Sequence, residues 1–161
     1  MTGAVFDLMP GDVALGTAGD QLKTLLGSCV SVILTDPRRT VGAMCHIVHV
    51  GKPNSANTLN TAYGMPAMDA LFARLQNLAV NPALCHAYVY GGGNMFPALV
   101  NNNHVGANNA RWVMDFLKAH HIAVVDSSLG GNGYRKVLWT VGPTEPVVDM
   151  VVNQQESNND R

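Results

Sequence analysis

A thiol and an imidazole within reach of each other can do chemistry that neither does alone, and this chain carries one such pair. Cys29 stands in Leu26-Gly27-Ser28-Cys29-Val30 and His46 in Ala43-Met44-Cys45-His46-Ile47. A free thiol is only a few per cent thiolate at neutral pH. A neighbouring imidazole accepts its proton, and the imidazolium so formed stabilises the anion. The thiolate can then attack a carbonyl carbon while the histidine returns its proton to the leaving group. Backbone N–H groups around Gly27-Ser28-Cys29 are the nearest candidates to hold an oxyanion, and a glycine there permits close substrate approach. This is acyl-transfer chemistry, and by itself it does not choose between amide, ester and thioester.

The elements that must bring the two side chains together are two strands and a turn. Val30 to Leu34 and Val41 to Val48 both alternate as strands do. Between them Asp36-Pro37-Arg38-Arg39 carries turn chemistry, with proline presetting φ and aspartate able to bond the local backbone. With those four residues as the connection, Thr35 faces Thr40 and Cys29 falls directly opposite His46. Directly opposed residues on an antiparallel pair share a face with Cβ atoms roughly 4.5–5.5 Å apart. Parity puts Val30, Val32, Leu34, Val41, Ala43, Cys45 and Ile47 on one apolar face, and Cys29, Ser31, Met44 and His46 on the other. Cys45 is thereby expected to be a small buried hydrophobe pointing away from Cys29.

Other readings of the same residues compete. Cys29 alone reads equally well as a packing residue in a strand. Cys29, Cys45, His46 and His49 have the chemistry of zinc ligands, but parity splits them across two faces and no Cys-x-x-Cys motif accompanies them, so no metal is expected. The glycine clusters at 91–93 and 130–133 lack the lysine of a P-loop and the spacing of a dinucleotide fingerprint. Tight turns and close backbone approach account for them, and no cofactor is expected. His120 and His121 fit the C-terminal end of a helix, where the dipole favours them.

Composition narrows the class. In 161 residues, 47% are hydrophobic and 13% charged, with a net charge of −1. That supports one well-cored domain and gives no basic surface for nucleic acid or an anionic membrane. No run reaches the roughly 18 apolar residues of a membrane span, and the N-terminus lacks the pattern of a signal peptide. Three cysteines without metal-ligand spacing suggest free thiols in a reducing compartment, so a cytoplasmic location is expected.

Along the chain, strand-like runs at Asp12–Leu15 and Gln21–Leu26 precede the hairpin. A polar loop from Gly51 to Asn60 follows His46 closely, and is expected to be mobile and to border the Cys29–His46 face. Met68, Leu71, Phe72, Leu75 and Leu78 mark an amphipathic helix ended by Asn81-Pro82, with Pro66 in its first turn. Ala87–Tyr90 reads as a strand running into Gly91-Gly92-Gly93-Asn94. A second helix carries Trp112, Val113, Phe116 and Leu117 on one stripe, with Asn108 or Asn109 available as cap. Ile122–Val125 reads as a short buried strand, Gly130–Gly133 as a turn, and Tyr134–Val141 with Val147–Val152 as a closing pair. Strands outnumber helices, so the expected class is α+β, a layered mixed β-sandwich or sheet with two flanking helices, one domain over 1–152 and a polar tail at 153–161.

Several of these segments together resemble the CheD family of chemoreceptor glutamine deamidases. They are Thr24-Leu25-Leu26-Gly27-Ser28-Cys29-Val30, Gly42-Ala43-Met44-Cys45-His46, Tyr63 with Ala67-Met68, and Gly91-Gly92-Gly93-Asn94-Met95-Phe96. Val105-Gly106-Ala107-Asn108-Asn109 is a diverged form of an Ile-Gly-Glu-Arg-Asn element, and Asp126 through Leu129-Gly130-Gly131-Asn132 with Arg135-Lys136-Val137 matches a late signature. The resemblance covers roughly residues 10 to 150. It implies a cytoplasmic enzyme that hydrolyses side-chain amides of glutamines on chemoreceptor helices to glutamate and ammonia. By the same resemblance Cys29 is the nucleophile, His46 the base and Thr24 the assisting threonine, with a CheC-type phosphatase as a further partner. The family's threonine can lie six residues before the cysteine, where this chain has Lys23, and an unbroken strand would turn Thr24 to the face opposite Cys29. The chain also departs from the family in the Ile47-Val48-His49-Val50-Gly51 ending and in Ala107-Asn108, which leaves room for a non-catalytic module that binds receptors or a phosphatase.

Overall fold

The computed structural model describes residues 3–55, 58–95 and 104–152. Strands run at Val5–Leu8 (β1), Val13–Thr17 (β2), Gln21–Leu26 (β3), Val30–Thr35 (β4), Val41–Ile47 (β5), His86–Gly91 (β6), Ala123–Leu129 (β7), Gly133–Thr140 (β8) and Val147–Val152 (β9). Helix α1, Gly64–Gln76, precedes β6, and α2, Val105–Ala119, follows it. One sheet orders β1-β3-β8-β9 and the other β2-β5-β4-β6-β7. Parallel pairing of β1 with β3 and of β6 with β7 makes both sheets mixed.

Alternation along the strands sorts the side chains into two cores. Val30, Val32, Leu34 and Cys45 pack on one side of the five-stranded sheet against Leu71 of α1 and Val113 of α2. On the other side Ile33, Met44 and Tyr88 meet Leu22, Leu26 and Trp139 of the four-stranded sheet. The molecule is therefore three layers, helices on sheet on sheet, and β4 is buried on both faces, as a strand between two apolar layers must be. The expected α+β class with two flanking helices is the one observed.

The hairpin register differs from the sequence expectation by two residues. Ser31, and not Cys29, lies opposite His46, and Thr35 pairs with Gly42. The connection is longer than four residues because Asp36 Oδ1 accepts from the N–H groups of Thr40 and Val41, at 2.8 and 3.0 Å, while Arg39 takes a left-handed φ of 55°. A shift of two preserves parity, so Cys29, Ser31, Met44 and His46 still share the face toward the second sheet, and Cys45 points to the helices.

Other boundaries move for local reasons. Helix α1 stops at Gln76, before Asn81-Pro82, and Ala79 at φ 59° reverses the chain, which leaves Leu78 exposed. The N-cap of α2 is His104, not Asn108 or Asn109, which lie inside the helix. Strand β7 runs on to Leu129 as a half-exposed edge of its sheet, where a short buried strand was expected. Strand β1, paired beside β3, is an addition to the expected set. The proposed tail at 153–161 lies outside the described residues.

Candidate active site

Thr24, near the end of β3, reaches across the space between the sheets to His46 on β5. Its Oγ1 lies 2.8 Å from the Leu8 carbonyl oxygen and 2.8 Å from His46 Nδ1, and both side chains are buried. A carbonyl can only accept, so the hydroxyl's one hydrogen goes to Leu8. Nδ1 must then carry a hydrogen and donate it to Oγ1, which leaves Nε2 with a lone pair. The sequence argument that turned Thr24 away assumed one continuous strand. The chain instead leaves the four-stranded sheet after Leu26 and enters the other at Val30, so the parity of one sheet says nothing about the next. The backbone of His46 is held as well, its N–H donating to the Asp12 carbonyl and its carbonyl accepting from Gly11 N–H, at 3.1 and 2.9 Å.

Cys29 sits in the crossover Gly27-Ser28-Cys29, half-buried against the inter-sheet core. Burial pushes its thiol above the ordinary range. Burial also lowers His46, with the Leu8 carbonyl and the Asp12 carboxylate pulling the other way. The resting pair is thus a neutral thiol and a neutral imidazole of fixed tautomer, and no preformed ion pair. Cys29 and His46 face the same space without a direct hydrogen bond in this structure, and such contacts commonly tighten only with substrate. Cys45 and Cys85 are buried and raised to about 12 and about 11, so neither competes as a nucleophile.

The crossover is clamped by the segments that looked distinctive in the sequence. Gly92 N–H donates to the Cys29 carbonyl and Gly93 N–H to the Gly27 carbonyl, both at 2.9 Å. Gly91 adopts φ +117°, and a Cβ there would stand 2.1 Å from the Cys29 carbonyl oxygen, so only glycine fits. Asn109, buried in α2, donates from Nδ2 to the carbonyls of Ser28 and Val48, each at 3.1 Å. One side chain therefore ties the approach to Cys29 to the exit from β5 beyond His46. Arg135 on β8 donates to the Gly91 carbonyl at 3.2 Å and to Ser128 Oγ at 3.0 Å. In the sequence Asn109 stood out as a candidate cap and as the last residue of the Val105–Asn109 family element, and neither reading gave it this bridging role.

Among the described residues, no group of three histidine, cysteine or acidic side chains is placed to hold a metal ion. His49 is exposed and packs at a tilt against Tyr63 with ring centroids 5.1 Å apart. Both border a cavity of about 340 Å³ that is also lined by Val48, Val105 and Asn109. Of the loop expected to border the site, residues 56 and 57 lie outside the described residues. Its return end is tied to the site: Thr61 Oγ1 donates to the Gly11 carbonyl, and Gly11 N–H holds the His46 carbonyl.

A thiol, an imidazole with a free lone pair and a threonine that fixes its tautomer are groups able to carry acyl transfer. Residues 49–148 match the CheD family, described as CheD chemotactic sensory transduction. A protein of Albidiferax ferrireducens named "Probable chemoreceptor glutamine deamidase CheD 2" is 36% identical over 83% of this chain and 80% of its own. One of Dechloromonas aromatica named "Probable chemoreceptor glutamine deamidase CheD 3" is 32% identical over the same shares. The chain belongs to the CheD family. The matched family stretch begins after His46 and so does not include Thr24, Cys29 or His46.

Proposed function

We propose that this protein hydrolyses the side-chain amides of particular glutamines on chemoreceptors, using Cys29 as nucleophile. His46 Nε2 takes the thiol proton as Sγ attacks the amide carbon. The C–N bond breaks, His46 gives the proton to departing ammonia, and a thioester on Cys29 remains. Water then attacks that carbonyl, passing a proton through His46 to the sulfur, and glutamate is released. Backbone N–H groups at Gly27-Ser28-Cys29 serve in this reading as the donors to the developing oxyanion. Thr24 touches neither substrate nor sulfur in this scheme and acts by holding the tautomer of His46.

The observation that carries the reading is the Leu8–Thr24–His46 chain, which commits Nδ1 to Thr24 and leaves Nε2 as the basic nitrogen of His46. The names of the relatives supply the substrate class, and the reading places the enzyme in the cytoplasm beside the receptors' signalling helices. No described helix is long and apolar enough to cross a membrane. Incubation with a purified receptor cytoplasmic region should give a mass gain of about one dalton per converted glutamine. Identical behaviour of wild type and Cys29→Ala would overturn the proposal.

The raised thiol favours a second reading, a module that binds receptors or a CheC-type phosphatase without turnover. It requires substrate to be bound and released unmodified by wild type.

A further inference from the structure

Beside His46 the interior of the sandwich contains a polar row that the reaction above does not use. Ser31 is the cross-strand partner of His46 on one side and of Tyr90 on the other, and Tyr90 pairs in turn with Ser128. His46, Ser31, Tyr90 and Ser128 thus cross β5, β4, β6 and β7 in a line. Parity with Ile33 and Met44, and the packing of Tyr90 itself, place this line in the layer between the sheets. The far end is anchored by Arg135, which reaches over from β8 to Ser128.

The two middle hydroxyls are out of place energetically. Ser31 and Tyr90 are 0% and 1% exposed, yet Ser31 Oγ and the Tyr90 hydroxyl have no hydrogen-bond partner among the described residues. A buried hydroxyl left unsatisfied is costly, and alanine and phenylalanine at these positions would remove that cost. Buried polar groups of this kind ordinarily hold ordered water. Ser31 also lies directly opposite His46 and two residues from Cys29, which packs on the same inter-sheet core.

We infer that Ser31, backed by Tyr90, positions the water that resolves the Cys29 thioester. The inference rests on the thioester reading above and assigns Ser31 as a positioning residue of its second half-reaction. The water gives one proton to His46 Nε2 as its oxygen bonds to the thioester carbon, and its other hydrogen is held by Ser31 Oγ. The C–S bond then breaks, the proton on His46 goes to Sγ, and free thiol and glutamate result. The first half-reaction needs no water at this position, so loss of the hydroxyl should slow deacylation selectively.

The test follows both halves in Ser31→Ala and Tyr90→Phe on a receptor cytoplasmic region. Ammonia release in the first turnover reports acylation, and intact-mass detection of a receptor–enzyme adduct reports the thioester. Ser31→Ala should keep the first-turnover rate within about 2-fold, lower the steady-state rate at least 10-fold and accumulate the adduct. Tyr90→Phe should do the same more weakly, and it decides the matter if Ser31→Ala does not fold. Hydroxylamine, which attacks thioesters without a positioned water, should restore turnover in the variants as the hydroxamate product. Both melting temperatures should be equal to or above that of wild type. Equal loss of both half-reactions, no loss of either, or failure of hydroxylamine to restore turnover overturns the inference. If wild type itself releases no ammonia, the deamidase reading fails instead.

Discussion

The chemistry of the site depends on a hydrogen that cannot be in two places. Because the Thr24 hydroxyl hydrogen is committed to the Leu8 carbonyl, His46 is held as the Nδ1–H tautomer and its basic nitrogen is available for Cys29. Thr24→Val keeps the shape and removes the acceptor, so kcat should fall about 10²-fold with KM little changed, measured by ammonia release on receptor substrate. Cys29→Ala and His46→Ala should each abolish turnover, and the double variant should be no worse than either alone. The pKa directions fix the pH profile. His46 is lowered from 6.5, so it stays neutral as pH falls through 6.5 and protonates only at lower pH. Activity should therefore hold down to about pH 6.5 and decline below it, and folding stability should be lost over the same acid range as the unfolded chain binds the proton first. An activity profile that falls with a midpoint above pH 6.5 would contradict the burial of His46.

At the scale of elements, the clamps around the crossover should matter as much as the reacting groups. Asn109→Ala removes a buried donor from two part-buried carbonyls, at Ser28 and Val48, and should cost about 1–3 kcal/mol in denaturant unfolding together with a large loss of kcat. Gly91→Ala would drive a Cβ into the Cys29 carbonyl at a φ of +117° and should cost more than about 2 kcal/mol. Much of this layout was legible in the sequence. The bounds of β3 are those expected, the Trp112–Leu117 stripe lies on the buried face of α2, Gly91–Gly93 and Gly133 serve close backbone approach, and Gly130 and Gly131 take left-handed turn conformations. Periodicity failed where a single residue changes the geometry. A left-handed Arg39 shifts the hairpin by two, a left-handed Ala79 ends the reversal after α1, and the change of sheet at Gly27–Cys29 cancels the parity that had turned Thr24 away. The Leu8 carbonyl was out of reach of any such reading, because it is a backbone atom on a four-residue strand.

The whole molecule shows why three thiols need not mean three reactive ones. Cys45 faces the helix-covered core and Cys85 is buried, whereas Cys29 opens toward the site. One equivalent of iodoacetamide should therefore enter the native protein, at Cys29, and two more only on unfolding, as read by peptide mass mapping. The site also spans a seam. Thr24 belongs to one sheet and His46 to the other, while Cys29 rides on the chain that passes between them. In mechanical terms the Thr24–His46 hydrogen bond is a clasp between two plates joined there by a three-residue connection. A slide of one whole plate over the other by roughly 3.4 Å, the rise of one strand residue, opens the clasp while leaving each plate's own ladder of hydrogen bonds intact. Activity should then fail at lower urea than the far-ultraviolet circular dichroism does, and anything that presses on the exposed face of the outer sheet gains leverage over the thiol without touching it.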